Sequence, residues 1–88
     1  MPTIASFYGI AIRMYLKDHA PPHFHAIYRD HEAQVAIGTG DILKGELPST
    51  ALRLVREWAK LNGEALEANW RRRETGLPLE QIDGLDAE

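Results

Sequence analysis

Two histidines stand one residue apart in Pro21-Pro22-His23-Phe24-His25. If the stretch is extended, side chains repeat every second residue and both imidazoles share a face. Two chemistries suit that placement. The first is metal binding, because neighbouring imidazoles on a strand can be bridged by one zinc-type ion. His23 and His25 would be ligands, with His19, Asp18, His31 and Glu32 as nearby candidates for a third. Three protein ligands plus water would make a catalytic centre, and four a structural one. The cations Arg13 and Lys17 weigh against a metal, so the leading expectation is no cofactor. The second chemistry is phosphodiester cleavage without metal. A base takes the ribose 2′-hydroxyl proton, cations stabilise the charge on phosphorus, and an acid protonates the leaving oxygen. Histidine suits both proton roles. His25 and His23 are the acid/base candidates, with His19 in second rank. Arg13 and Lys17 would hold phosphate, and Tyr15 would orient or stack a base. Beside both stands a structural reading, in which the prolines fix a corner and the histidines bond only to backbone.

The elements that must position these residues differ between the two halves of the chain. Residues 4–16 are rich in β-branched and aromatic types, with Gly9 as a break. After it, Ile10, Ile12, Met14 and Leu16 alternate with Ala11, Arg13, Tyr15 and Lys17, a strand with one apolar face. The stretch 18–22 is turn chemistry, because two prolines donate no ladder bonds. A second strand is predicted over 23–29, a turn at Asp30-His31, a third strand over 32–37 and a short one over 42–46. Short connections make these antiparallel. Leu47-Pro48-Ser49-Thr50 starts a helical half, with hydroxyl groups able to cap. Ala51, Leu54, Val55, Trp58, Leu61, Ala65 and Leu66 recur at helical spacing. Asn62-Gly63 interrupts them, so the region is one kinked helix or two, near 49–61 and 64–75. Residues 79–85 would add an edge strand or drape over the surface.

The expected fold is α+β: an antiparallel sheet of three to four strands packed on one or two C-terminal helices. Residues 1–85 form a single domain, followed by an acidic frayed tail at 86–88. The 88 residues allow only a thin core, so a partner or a homodimer would help stability. No apolar run reaches the roughly 20 residues of a membrane span, and Met1-Pro2-Thr3 opens no secretory signal, so the expected setting is cytoplasmic, with no membrane contact. The absence of cysteine excludes disulfides, thiolate ligands and a thiol nucleophile. A net charge of −3 argues against a general polyanion binder, so nucleic-acid contact would need a local patch. Such a patch is offered by Trp70, Arg71, Arg72 and Arg73, as partner or phosphate contacts. The plainer account is a solvated helix end whose cations favour the dipole, with the acidic tail folding back to screen them. Trp58 reads as core, and Trp70 as a rim anchor for a partner.

The start Met1-Pro2-Thr3-Ile4, the segments Gly9-Ile10 and Ile12-Arg13-Met14-Tyr15, and above all Asp18-His19-Ala20-Pro21-Pro22-His23-Phe24-His25 resemble one bacterial family. So do Leu47-Pro48, Glu57-Trp58-Ala59 and Asn69-Trp70. The family is the domain of unknown function 4160, and the resemblance covers about residues 1 to 85. Its members are short prokaryotic proteins, commonly encoded beside a small protein of another uncharacterised family (domain of unknown function 2442). That arrangement resembles a two-gene toxin–antitoxin module. The resemblance implies such a role. Together with the polar grouping of Arg13, Tyr15, His23 and His25, it makes the leading expectation the toxin-side component, with a cognate small protein as partner, acting on RNA or a translation component. If catalytic, it would be a metal-independent endoribonuclease-like enzyme. The alternative is a non-catalytic binding module, an antitoxin or adaptor. A third reading is a metal-binding protein through His23 and His25. Asn62-Gly63 departs from the unbroken helical run expected after Glu57-Trp58-Ala59.

Overall fold

The computed structural model describes residues 3–86. Five strands, β1 (Thr3–Phe7), β2 (Ile10–Arg13), β3 (His23–Tyr28), β4 (His31–Ala36) and β5 (Ile42–Gly45), precede helices α1 (Ser49–Leu61) and α2 (Gly63–Glu74). The strands form one antiparallel meander in chain order. The α+β arrangement is as expected, with one strand more than the upper count. The extra strand arises at Tyr8-Gly9, where φ values of 50° and 78° place both residues in the left-handed region. That is the backbone of a tight two-residue hairpin turn, so the apolar run reverses instead of continuing.

β2 ends at Arg13, short of the strand expected through Leu16. Met14 is still buried, but Leu16 is 61% exposed, so the alternation fails at its last member. The chain leaves the sheet there as a loop, residues 14–22, which begins with a turn from Tyr15 to Asp18. The β3–β4 turn falls at Arg29-Asp30, one residue earlier than predicted, with Arg29 at φ 54°.

The core lies between the sheet and α1. Ile10, Ile12, Phe24, Ala26, Ala33 and Val35 face Ala51, Val55 and Trp58. The Trp58 ring sits 5.3 Å from that of Phe7 and 5.7 Å from that of Phe24. No hydroxyl caps α1, in contrast to the expectation for Ser49 and Thr50; the Pro48 carbonyl accepts from the Leu52 amide instead. Asn62 separates two helices, its side-chain amide donating to the Trp58 carbonyl at 2.9 Å. The break turns α2 so that Leu66, Asn69 and Trp70 are buried. Leu61, 71% exposed, and Ala65, also exposed, fall off the expected stripe.

Residues 77–85 form a strap, not a paired strand. Buried Asn69 clamps it twice, donating to the Glu80 carbonyl and accepting from the Glu80 amide, each at 2.9 Å. Further along, the Ile82 amide donates to the Ile4 carbonyl, and the Trp58 indole to the Asp83 carbonyl. Asp86 accepts from the Tyr8 amide at 3.4 Å; the remainder of the expected acidic tail, 87–88, lies outside the described residues.

Gly45 has no room for a side chain against the neighbouring β4 backbone. It has φ +81°, and a Cβ there would run into the Glu32 carbonyl, which accepts the Glu46 amide. Gly45→Ala should therefore cost about 2 kcal/mol or more through backbone strain and lost pairing. For a domain of this size that lowers the melting temperature by roughly 10 °C, readable by circular dichroism. An unchanged melting temperature would mean that β5 does not pair as described.

Candidate metal centre

The two histidines lie on β3, on the side away from α1. Side chains directly opposite in neighbouring strands share a face. The register sets Arg13 across from His25 on one side and Gln34 across from it on the other. Phe24 points the other way, into the core. Both histidines are buried, at 5% and 6% exposure. The loop 14–22 covers them. Tyr15 sets its ring edge against His25, with centroids 4.6 Å apart. Trp70 of α2 approaches His23, with centroids 5.4 Å apart.

Asp18 returns from that loop to the histidines. Its Oδ2 lies 2.9 Å from His25 Nε2 and 3.3 Å from His23 Nε2. The three ligand atoms all lie within 4.8 Å of one another. Each imidazole is also held from behind. His23 Nδ1 is 2.8 Å from the Pro21 carbonyl, and His25 Nδ1 is 3.0 Å from Glu32 Oε2. A carbonyl only accepts, so His23 Nδ1 carries the proton. The same holds for His25 Nδ1 facing the Glu32 carboxylate. In neutral rings both Nε2 atoms then present lone pairs toward Asp18.

Without a cation, three acceptors would face one another. Satisfying them with protons alone takes two further protons within the cluster, on both rings or on one ring and Asp18, although the ring centroids are only 5.3 Å apart. A divalent ion satisfies the same geometry with both rings neutral. Ligands about 2.0–2.1 Å from one tetrahedral zinc-type ion lie about 3.3 Å from each other. The His23 separation of 3.3 Å matches that spacing, and the His25 one, 2.9 Å, is a few tenths of an ångström shorter. The contacts behind the rings are the kind that orient metal-bound histidines: an acceptor on the second nitrogen fixes tautomer and ring plane.

Among the sequence-derived candidates, His23, His25, Arg13 and Tyr15 come together. Lys17 and His19 are exposed on the loop and share no hydrogen bond with the pair. His31 stands opposite Tyr28, two register positions from Ala33 and on the core-facing side, so it is no third ligand. Asp18 takes that role, and Glu32 acts behind His25. The basic run separates. Trp70 is 5% exposed, which corrects its reading as a rim anchor. Arg73 covers the Trp70 ring at 3.5 Å and donates to the Leu16 carbonyl. Arg72 donates to the Pro78 carbonyl and pairs with Glu80 of the strap at 3.3 Å. Arg71 is exposed. The patch expected at 70–73 is therefore largely internal bracing. Asn69 entered the sequence analysis only through the family resemblance, with no structural role, since an asparagine on a helix looks like surface until the segment it holds is known.

Residues 9–71 match the family described as a domain of unknown function (DUF4160), a span that includes all three converging side chains and Glu32. No curated protein and no solved structure gives a significant match to the chain. The match covers most of the chain from β2 to α2, so this protein belongs to the DUF4160 family.

Proposed function

We propose that this protein is a mononuclear metal protein of the hydrolytic type, with Asp18, His23 and His25 as ligands. The observation that carries it is the convergence of two imidazole Nε2 atoms and one carboxylate oxygen, each ring fixed from behind by Pro21 or Glu32. Two nitrogens and one oxygen suit a zinc-type divalent ion. Three protein ligands leave room for water, which such an ion acidifies to near neutrality and turns into a nucleophile. In this reading His23 and His25 bind metal and do not shuttle protons. Both nitrogens of His25 face carboxylates, which leaves neither free to act as a base on substrate. The RNA-directed, toxin-side activity that the family resemblance suggests would run through the same centre, with metal-bound water as nucleophile.

The test is metal content. Protein purified without a histidine tag should retain, or bind on addition, one equivalent of zinc, nickel, cobalt or manganese per chain. Glu32→Gln keeps an acceptor behind His25 but removes its charge, and should weaken metal binding by about 10–100-fold, as measured by competition with a chromogenic chelator. A chain that takes up none of these metals would overturn the reading.

A further inference from the structure

Arg13 Nε and Arg73 Nε are the two side-chain polar atoms, among the described residues, sealed from water with no hydrogen-bond partner. Buried donors are nearly always paired, and an orphan calls for an explanation. Both arginines stand beside the candidate metal centre. Arg13 is the cross-strand neighbour of His25 on the same face. Arg73 lies over Trp70, whose ring is next to that of His23. One of its terminal nitrogens holds the Leu16 carbonyl at 3.0 Å, on the loop that carries Asp18. Its guanidinium is thus fixed by a ring face and a carbonyl, with its Nε edge unused. Arg13 thus adjoins the histidine pair from β2, and Arg73 adjoins it from α2 through Trp70.

The charges point the same way. The chain carries a net −3, yet Arg13, Lys17 and Arg73 form no ion pair among the described residues. A divalent ion would be neutralised by Asp18 and Glu32, leaving Arg13 and Arg73 without a carboxylate partner among the described residues. Guanidinium groups match phosphate oxygens with paired donors, and a metal with an open position takes a further oxygen.

Resting on the metal reading, we propose that this centre takes a phosphate group, free or as an ester, with Arg13 and Arg73 as its flanking contacts. Arg13 and Arg73 are binding residues for that group and not metal ligands.

The full chain, untagged and loaded with cobalt(II), provides the test. Inorganic phosphate and, separately, a dinucleotide carrying one phosphodiester are titrated in. The visible cobalt spectrum and calorimetry report binding. Saturable binding that perturbs the spectrum is expected. Arg73→Gln should weaken it at least tenfold with cobalt stoichiometry unchanged. Arg13→Lys keeps the charge but removes Nε and should weaken it similarly. Should Arg13→Lys fail to fold, judged by circular dichroism, Arg73→Gln decides alone. A response to phosphate alone identifies a free phosphate or monoester ligand; a response to the dinucleotide identifies a diester. Either supports the proposal. One bound cobalt with no response to either probe overturns this proposal and leaves the metal reading standing. Equal affinity in the folded arginine variants overturns it as well, because the metal alone would then account for binding. A chain that binds no cobalt overturns the metal reading, and this one with it.

Discussion

His25→Ala should abolish the stabilisation that a divalent metal confers on the wild-type chain. A ligand that binds only the folded state, at a free concentration a hundred times its dissociation constant, adds about 2.7 kcal/mol. Each kcal/mol moves the melting temperature of a domain this size by about 4–8 °C. Added zinc should therefore raise the wild-type midpoint by roughly 10–20 °C. A four-ligand zinc site is worth about 10–16 kcal/mol, so one ligand accounts for something on the order of 3 kcal/mol. Losing His25 should weaken binding about a hundredfold or more, and at the same zinc concentration the shift should shrink to about 3 °C or less. His25 is also the ring between Asp18 and Glu32, touching both carboxylates at 2.9 and 3.0 Å. Its removal costs Glu32 the Nδ1–H donor it faces with or without metal. The metal-free variant should consequently melt below metal-free wild type. Calorimetry with and without zinc reads both effects. A folded His25→Ala chain that keeps the full zinc-induced shift would remove His25 from the ligand set.

Trp58→Ala should unfold most of the population at 37 °C. The indole is fully buried, touches both the β1 and β3 aromatics, and donates to the Asp83 carbonyl at 2.8 Å. Truncating a buried tryptophan costs about 3–5 kcal/mol through lost burial and the cavity left behind. The strap carbonyl loses its donor besides. A domain of 88 residues has little margin, because small chains bury a lesser share of their surface and total stability starts near 5 kcal/mol. Urea unfolding of the variant should show no native baseline, or a midpoint near zero denaturant. Trp58→Phe separates the contributions: it keeps most of the apolar ring and loses the donor, for about 1–3 kcal/mol. A Trp58→Ala chain destabilised by less than 1 kcal/mol would contradict the central place of this side chain.

Periodicity made much of the fold legible. Alternation at Ile10 and Ile12, and helical spacing at Ala51, Val55 and Trp58, are local patterns that survive into the tertiary structure, where these residues are buried. The pattern failed where the chain changed direction. Leu16 and Leu61 obey their local periods yet are exposed: β2 has ended before Leu16, and Leu61 is the last residue of α1, where Asn62 turns the chain. Asn69 was invisible for the converse reason: it sits buried because the strap returns to it. Periodicity reports a face only while its element continues.

The candidate site divides along the same line. The sequence by itself determined that His23 and His25 share a face, since strand geometry repeats every two residues whatever the surroundings. It also placed Arg13 and Tyr15 near them, within one strand of the pair. The third ligand was a matter for the tertiary structure. Asp18, His19, His31 and Glu32 are all close along the chain, and local geometry does not rank them. The loop 14–22 folds back and carries Asp18 onto both rings while leaving His19 exposed. Pairing of β3 with β4 sets Glu32 behind His25 and sends His31 to the opposite side. Trp70 and Arg73 arrive from α2, some fifty residues away in the chain. Register, loop path and helix docking are long-range packing outcomes, and they decided which side chains meet and in which direction each imidazole nitrogen points.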